Sequence, residues 1–205
     1  WKIFINQRNP GNYLVSEHIL DSWTRCMNDG VDPYDGVSHD ILTSIELDEL
    51  LIRYRDFIEV ARPFMKKLYE FVKGSGFIVI LTDEYGYIME AFGDINTLEK
   101  AQNLSFDKGA NWSEKEVGTN AIGTVLVEKT PLQVSGAEHF CQKHHAWTCS
   151  ASPIHNRQGQ LIGVLDMSGP SHLTHRHTLG MVVAAAQAIT EQMYVQEKNR
   201  GLTMT

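Results

Sequence analysis

Cysteine is scarce in this chain: three among 205 residues, at no framework spacing. That excludes a disulfide-stapled scaffold, and a reducing cytoplasm is the expected compartment. Long apolar runs are lacking too, so no segment is expected to span a membrane. No basic segment followed by an apolar run marks a signal peptide. Basic residues are in the minority, 18 Lys+Arg against 25 Asp+Glu, for a net charge of −7 with His neutral. Nucleic-acid binding by this segment would need a basic stripe or helix, which is absent. No G-x-x-x-x-G-K-[ST] loop, strand-linked G-x-G-x-x-G, G-x-S-x-G elbow or H-E-x-x-H is present. ATP hydrolysis, dinucleotide redox chemistry and hydrolase chemistry are thereby unsupported, and no enzyme activity or cofactor is expected.

What is present suits a globular core: 42% of residues are hydrophobic. At about 100–200 residues per domain, the length fits one domain with an extension. The chain opens on Trp1 and is expected to be part of a longer polypeptide. Residues 1–15 read as an irregular lead-in. Ser16 is placed to cap a first helix whose apolar face carries Ile19, Leu20, Trp23 and Met27. Thr43 and Glu46 fit a capping box. Beyond them Leu47, Leu50, Tyr54, Phe57, Ala61, Phe64, Leu68 and Phe71 make a heptad-like seam, with a kink expected near Pro63. Such a seam serves packing on its own domain and pairing with a second copy alike, and a homodimer is expected.

Residues 77–82 (FIVILT) are apolar on both faces and predict a covered central strand. A polar turn and a second strand at 87–92 complete an antiparallel hairpin. A short helix is expected over 94–102, and a single helix over 113–128, rich in small residues. Strands follow at 132–135, 149–155 and 160–168, then a closing helix with the seam Leu179, Val182, Ala186, Ile189 and Met193. This order predicts an α+β fold with a mostly antiparallel sheet of five or six strands, which commonly holds a small-molecule pocket against one face.

The densest chemistry lies between His139 and Cys149, where three imidazoles (His139, His144, His145) and two thiols (Cys141, Cys149) fall within eleven residues. Imidazole and thiolate suit zinc, copper or iron, but the spacing matches no standard zinc pattern. Adjacent His144 and His145 point apart on a regular element, so pocket lining is preferred and no bound metal is expected. Asp166 stands in an otherwise apolar strand, where a carboxylate is costly unless partnered. Glu116 and Asn120 lie one helical turn apart. The candidate ligand-binding set is therefore Glu116, Asn120, His139, His144, His145, Trp147, Cys149 and Asp166. A metal- or redox-sensing role of the His/Cys block, and a thiol reductase using Cys141 and Cys149, are the alternatives.

Residues 22–33 (SWTRCMNDGVDP), the long stretch 116–169 with its GTNAIGT and HFC…HH.W.CS blocks, and residues 177–189 (HTLGMVVAAAQAI) resemble the amino-terminal sensory region of sigma-54-dependent transcriptional activators. The subgroup is that of the acetoin-catabolism and dihydroxyacetone/glycerol-operon regulators, whose sensory part is a GAF domain. The resemblance implies a six-stranded antiparallel sheet flanked by helices. The expected organisation is an N-terminal helical region at 1–73, a GAF-like domain at 74–197 and, from the polar tail, the start of a linker at 198–205. The resemblance also implies a following AAA+ ATPase and helix-turn-helix, through which DNA and sigma-54 would be contacted. The implied cue is a small polar molecule or a regulatory protein that shifts the population of two conformations.

Overall fold

The computed structural model describes residues 1–7 and 15–203. Helix α1 (Lys2–Gln7) replaces part of the expected irregular lead-in; the remainder of that lead-in, residues 8–14, lies outside the described residues. Helix α2 (Glu17–Asn28) starts after Ser16 as expected, but its buried side comprises Ile19, Ser22, Trp23 and Cys26. That side is rotated from the apolar stripe because two small polar residues are buried with it.

Helix α3 (Ser44–Arg53) begins with the expected capping box: Thr43 Oγ1 accepts from the Glu46 N–H, and Glu46 accepts from the Thr43 N–H at 2.8 Å. The seam then divides. α3 ends at Arg53, Tyr54 leaves the helical conformation at φ -98°, ψ 14°, and α4 (Arg55–Val72) follows, running on through Pro63. The break falls at Tyr54, whose hydroxyl donates to Glu84 at 2.6 Å. Phe57, Ala61, Met65 and Leu68 of α4 are buried in the domain's own core, whereas Phe71 is 71% exposed.

Strands β1 (Ile78–Asp83) and β2 (Ile88–Gly93) form the predicted hairpin and are followed by α5 (Ile95–Gln102). The helix expected over 113–128 is two: α6 (Glu114–Val117) and α7 (Ala121–Glu128). Gly118 separates them at φ 71°, a left-handed conformation that favours glycine, and a Cβ there would sit 2.9 Å from Phe140. Then come β3 (Leu132–Ser135), 3-10 turns at Gly136–Glu138 and Gln142–His144, β4 (Trp147–His155), β5 (Leu161–Pro170) and α8 (Arg176–Thr203). Residues 198–203, read as linker from composition, continue α8, and 204–205 lie outside the described residues.

The sheet is antiparallel in the order β2-β1-β5-β4-β3. It has five strands among the described residues, not six. The 103–112 segment makes only isolated bridges, Ile41 with Ala110 and Tyr87 with Asn111, instead of a ladder. Side-chain alternation along the strands splits the core in two. Val79, Leu81, Ile154, Leu165 and Met167 pack with α4 and α8. Ile78, Ile80, Cys149, Ala151 and Val164 pack with α2, α6 and α7 and with the aromatic residues of the 103–112 loop. Asp166 falls opposite Ile80 and Ala151 in register, so its side chain belongs to this second face.

Candidate functional site

The His/Cys block folds as irregular turns over the edge of the second face. Two indoles from the N-terminal helical segment pin its backbone: Trp23 Nε1 donates to the Glu138 carbonyl and Trp1 Nε1 to the Phe140 carbonyl, each at 2.7 Å. From the other side, the 31–42 loop reaches His144. Gly36, at φ 65°, presents its carbonyl to His144 Nε2 at 2.7 Å, and a Cβ there would lie 3.1 Å from that nitrogen.

These contacts fix the protonation pattern. A carbonyl only accepts, so His139 carries its proton on Nδ1, which donates to Gly136 O at 3.0 Å. Its Nε2 then accepts from the Cys149 thiol at 3.4 Å. His144 carries its proton on Nε2, leaving Nδ1 as an acceptor. Burial lowers the pKa of His139 to about 3, with His144 adding to the effect, and burial lowers His144 to about 4. Both rings are neutral at physiological pH. Burial, followed by the nearby Asp166, raises the Cys149 thiol well above its usual range. Across the β4–β5 ladder Cys149 pairs with Ser168, whose hydroxyl donates to Asp166 Oδ2 at 2.6 Å. Burial pushes the Asp166 carboxyl up to about 7, with the Ser168 bond pulling the other way. Asp166 Oδ1, His144 Nδ1 and Thr148 Oγ1 are buried with no hydrogen-bond partner.

His139, His144, Trp147 and Cys149 close on a cavity with Leu104, Phe106 and Trp112. Its volume is ≈ 10 Å³, close to the minimum of about 10–15 Å³ for one water. The Trp112 and His144 rings lie 5.2 Å apart at 31°, and Phe106 sits edge-on to Trp147 at 6.4 Å. A small, neutral, aromatic-walled space is thus enclosed beside unused hydrogen-bonding capacity.

The GAF domain profile matches residues 56–193. The chain belongs to the GAF domain family. It is 33% identical over 204 residues to the acetoin dehydrogenase operon transcriptional activator AcoR of Bacillus subtilis, covering 100% of this chain and 34% of that protein. It is 38% identical over 193 residues to a signal-transduction and transcriptional-control protein of Clostridium beijerinckii, covering 94% of this chain and 30% of that protein. The chain thus spans about a third of the length of these relatives. Among solved structures, the E. coli DhaR(N)–DhaL complex superposes with TM-score 0.85 at 22% identity, over 92% of this chain and 65% of that one. That likeness is one of fold.

Within this GAF domain, four of the eight sequence-predicted residues line one cavity and Asp166 lies behind it, one strand over. The other three serve elsewhere. His145 donates from Nε2 to the His139 carbonyl at 3.2 Å and stands edge-on to Trp1 at 4.9 Å. Asn120 caps α7, accepting from the Gly123 N–H at 3.0 Å and donating to the Trp112 and Gly118 carbonyls at 3.1 and 2.8 Å. Its amide is fully occupied by backbone. Glu116 is half-buried in α6 and lines no part of the cavity.

The buried carboxylate of that helix is Glu114, which accepts from Arg25 Nε at 2.8 Å, Arg25 NH2 at 2.9 Å and Ser22 at 2.6 Å. It ties α2 to α6, and Glu128 holds the same arginine at 3.1 Å. Sequence reasoning missed Glu114, together with Leu104, Phe106 and Trp112. A signal was available for the last two: bulky aromatics in an otherwise polar loop. Among the described residues no cluster of three His, Cys, Asp or Glu side chains is arranged to hold a metal.

Proposed function

We propose that this GAF domain is a non-catalytic sensor within a larger, cytoplasmic sigma-54-dependent regulator, and that its ligand is a small, neutral, polar molecule bound between His139, His144, Trp147 and Cys149. The observation that carries this reading is His144 Nδ1, a buried acceptor left without a partner on a residue that lines an apolar cavity. A hydroxyl donated to it would relieve a cost of about 1–3 kcal/mol for an unsatisfied buried group. An alcohol or ketol has the necessary donor; the closed cavity, at ≈ 10 Å³, holds no more than about one water, so Trp147 must move to admit it. An anion has nothing cationic to meet in the cavity, since both imidazoles are neutral there.

Trp147 opens β4, and α8 packs across the opposite face of the same strand. A ligand that needs Trp147 to move would therefore bias α8, and with it the output of the ATPase and DNA-binding domains expected elsewhere in the regulator. Taking such an equilibrium from 1:99 to 99:1 requires about 5.5 kcal/mol of differential affinity. Two copies would associate through the groove of α4 and α8 lined by Phe64, Phe71, Met181 and Ala185.

Thermal denaturation with a panel of small neutral alcohols, ketols and ketones tests the reading. At about a hundred times Kd, a true ligand adds roughly 2.7 kcal/mol, which at about 2–4 °C per kcal/mol raises Tm by roughly 5–10 °C. The rise should vanish in Trp147→Ala. A panel with no stabiliser, alongside a tightly copurifying protein, would replace this reading with a protein partner. That second reading is favoured by the DhaL complex of the structurally similar DhaR(N).

A further inference from the structure

Immediately outside Trp147 lies a second space of ≈ 490 Å³, between α5, the two 3-10 turns Gln142–His144 and Ser171–Leu173, and the end of β5. Its volume falls within the roughly 300–1,000 Å³ typical of small-molecule sites. Leu104 and Trp147 belong to both spaces, so they are the partition between them. The cleft differs from the inner cavity in charge. Lys100, Lys143, His172 and Asn103 line it, and among the described residues no acidic one does.

Both lysines line the opening from separate elements, Lys100 from α5 and Lys143 from the Gln142–His144 turn. Lys143 Nζ stands 3.7 Å from Asp35 Oδ1, beyond hydrogen-bond length, while Asp35 Oδ2 is held by His39 at 2.6 Å. The nearest carboxylate thus has a tighter partner elsewhere, and the Lys143 charge is only loosely compensated. A local positive field on a net negative protein concentrates anions where the field converges. Lys100 and Lys143 supply that charge, Asn103 and His172 supply further polar groups, and Trp147 and Leu104 supply an apolar floor.

We propose that this outer cleft is a binding site for small organic anions, carboxylates or phosphate monoesters with a short apolar tail, with the anionic head between Lys100 and Lys143 and the tail on Trp147 and Leu104. The site is distinct from the inner cavity and does not depend on a ligand there. Because the partition is shared, occupancy of the cleft holds Trp147 in place and opposes entry to the cavity.

Calorimetric titration of the 205-residue chain with n-butyrate, n-butyl phosphate, inorganic phosphate and neutral butyramide tests it. Butyrate or butyl phosphate should bind, and whichever binds more tightly identifies the head group. Butyramide should bind at least about tenfold more weakly, and Lys100→Gln/Lys143→Gln should cost the anion about tenfold, as expected for two exposed charge contacts. Inorganic phosphate should bind more weakly than butyl phosphate, because it lacks the tail. Saturating butyrate should leave the His139 ring resonances, inside the inner cavity, in place, which separates this site from that cavity. The proposal is overturned if no anion binds at 50-fold excess over the protein at millimolar concentration (about the ceiling for a useful small-ligand affinity), if butyramide matches butyrate, or if the double lysine variant binds as wild type does. Saturable shifts of the His139 ring resonances with the anion would assign it to the inner cavity and likewise remove the cleft.

Discussion

The two faces of one sheet differ in what they bury. Against α4 and α8 the strands present Val79, Leu81, Ile154, Leu165 and Met167, an apolar set that packs on Phe57, Met65, Val182 and Ile189. Against α2, α6 and α7 the same strands present Cys149, Asp166 and Ser168, and the adjoining turns add His139 and His144. Fully burying an apolar side chain contributes about 1.5–3 kcal/mol. Leaving a buried polar atom unpartnered costs about 1–3 kcal/mol. The first face accumulates stability; the second gives some of it up at His144 and Asp166. Alternation along a strand lets a single sheet do both, because a change on one face leaves the residues of the other in register.

The comparison breaks most visibly on the apolar side. Leu165→Ala removes a fully buried side chain and is expected to cost about 2–5 kcal/mol in urea denaturation. Ligand affinity of the folded fraction should not change. An equal loss of affinity would mean that the faces are not separable.

On the polar side the next largest effect depends on pH. The folded Asp166 carboxyl holds its proton up to about 7, against 3.8 for an unperturbed one. A raised folded pKa contributes stability that is fully present below pH 4 and lost as pH rises through 7. Wild type should therefore lose on the order of 2–4 kcal/mol relative to Asp166→Asn between pH 4 and pH 8. His139 and His144 act in the opposite sense, since their lowered pKa values remove stability as pH falls from about 6.5 towards 3. Both proteins contain them, so the difference isolates Asp166. A gap that stays constant with pH would show the carboxyl ionised in the fold.

A smaller effect is expected where α2 is tied to the polar face. Glu114→Ala strands Arg25, but that side chain is 32% exposed and keeps Glu128. The loss should be about 1–3 kcal/mol by chemical denaturation, with α2 becoming accessible to limited proteolysis before the sheet does. Unchanged protection of α2 would mean that the two pinning indoles, Trp1 and Trp23, suffice.

Much of this architecture was legible because local rules and tertiary packing agree. The Thr43–Glu46 box, the β1–β2 hairpin and the 132–135 strand are each set by residues within a few positions of one another. Local periodicity misled where long-range contacts decide. The seam from Leu47 to Phe71 continues unbroken through Tyr54, yet α3 ends there, where the Tyr54 hydroxyl is held by Glu84. The 113–128 helix failed at Gly118, whose conformation is set by the Phe140 ring beside it, 22 residues later in the chain. Once α6 is that short, Glu114 and not Glu116 points inward. In the site, polarity identified His139, His144, Trp147, Cys149 and Asp166, but neighbouring His144 and His145 could not be told apart. Gly36, from a distant loop, selects His144. Asn120 looked available for a ligand because its backbone partners, Trp112 and Gly118, appear only once the chain has turned.

The central claim is that the polar face, not the apolar one, receives the signal. Histidine- and methionine-methyl-selective NMR tests it on the intact chain, titrated with millimolar mixtures of small neutral alcohols, ketols and ketones. The account predicts at least one compound that shifts the His144 and His139 ring resonances in a saturable way, with any shift of the Met181 methyl on α8 following the same saturation curve. Shifts confined to Met65 and Met181, or no movement of His144 with any compound, would contradict it.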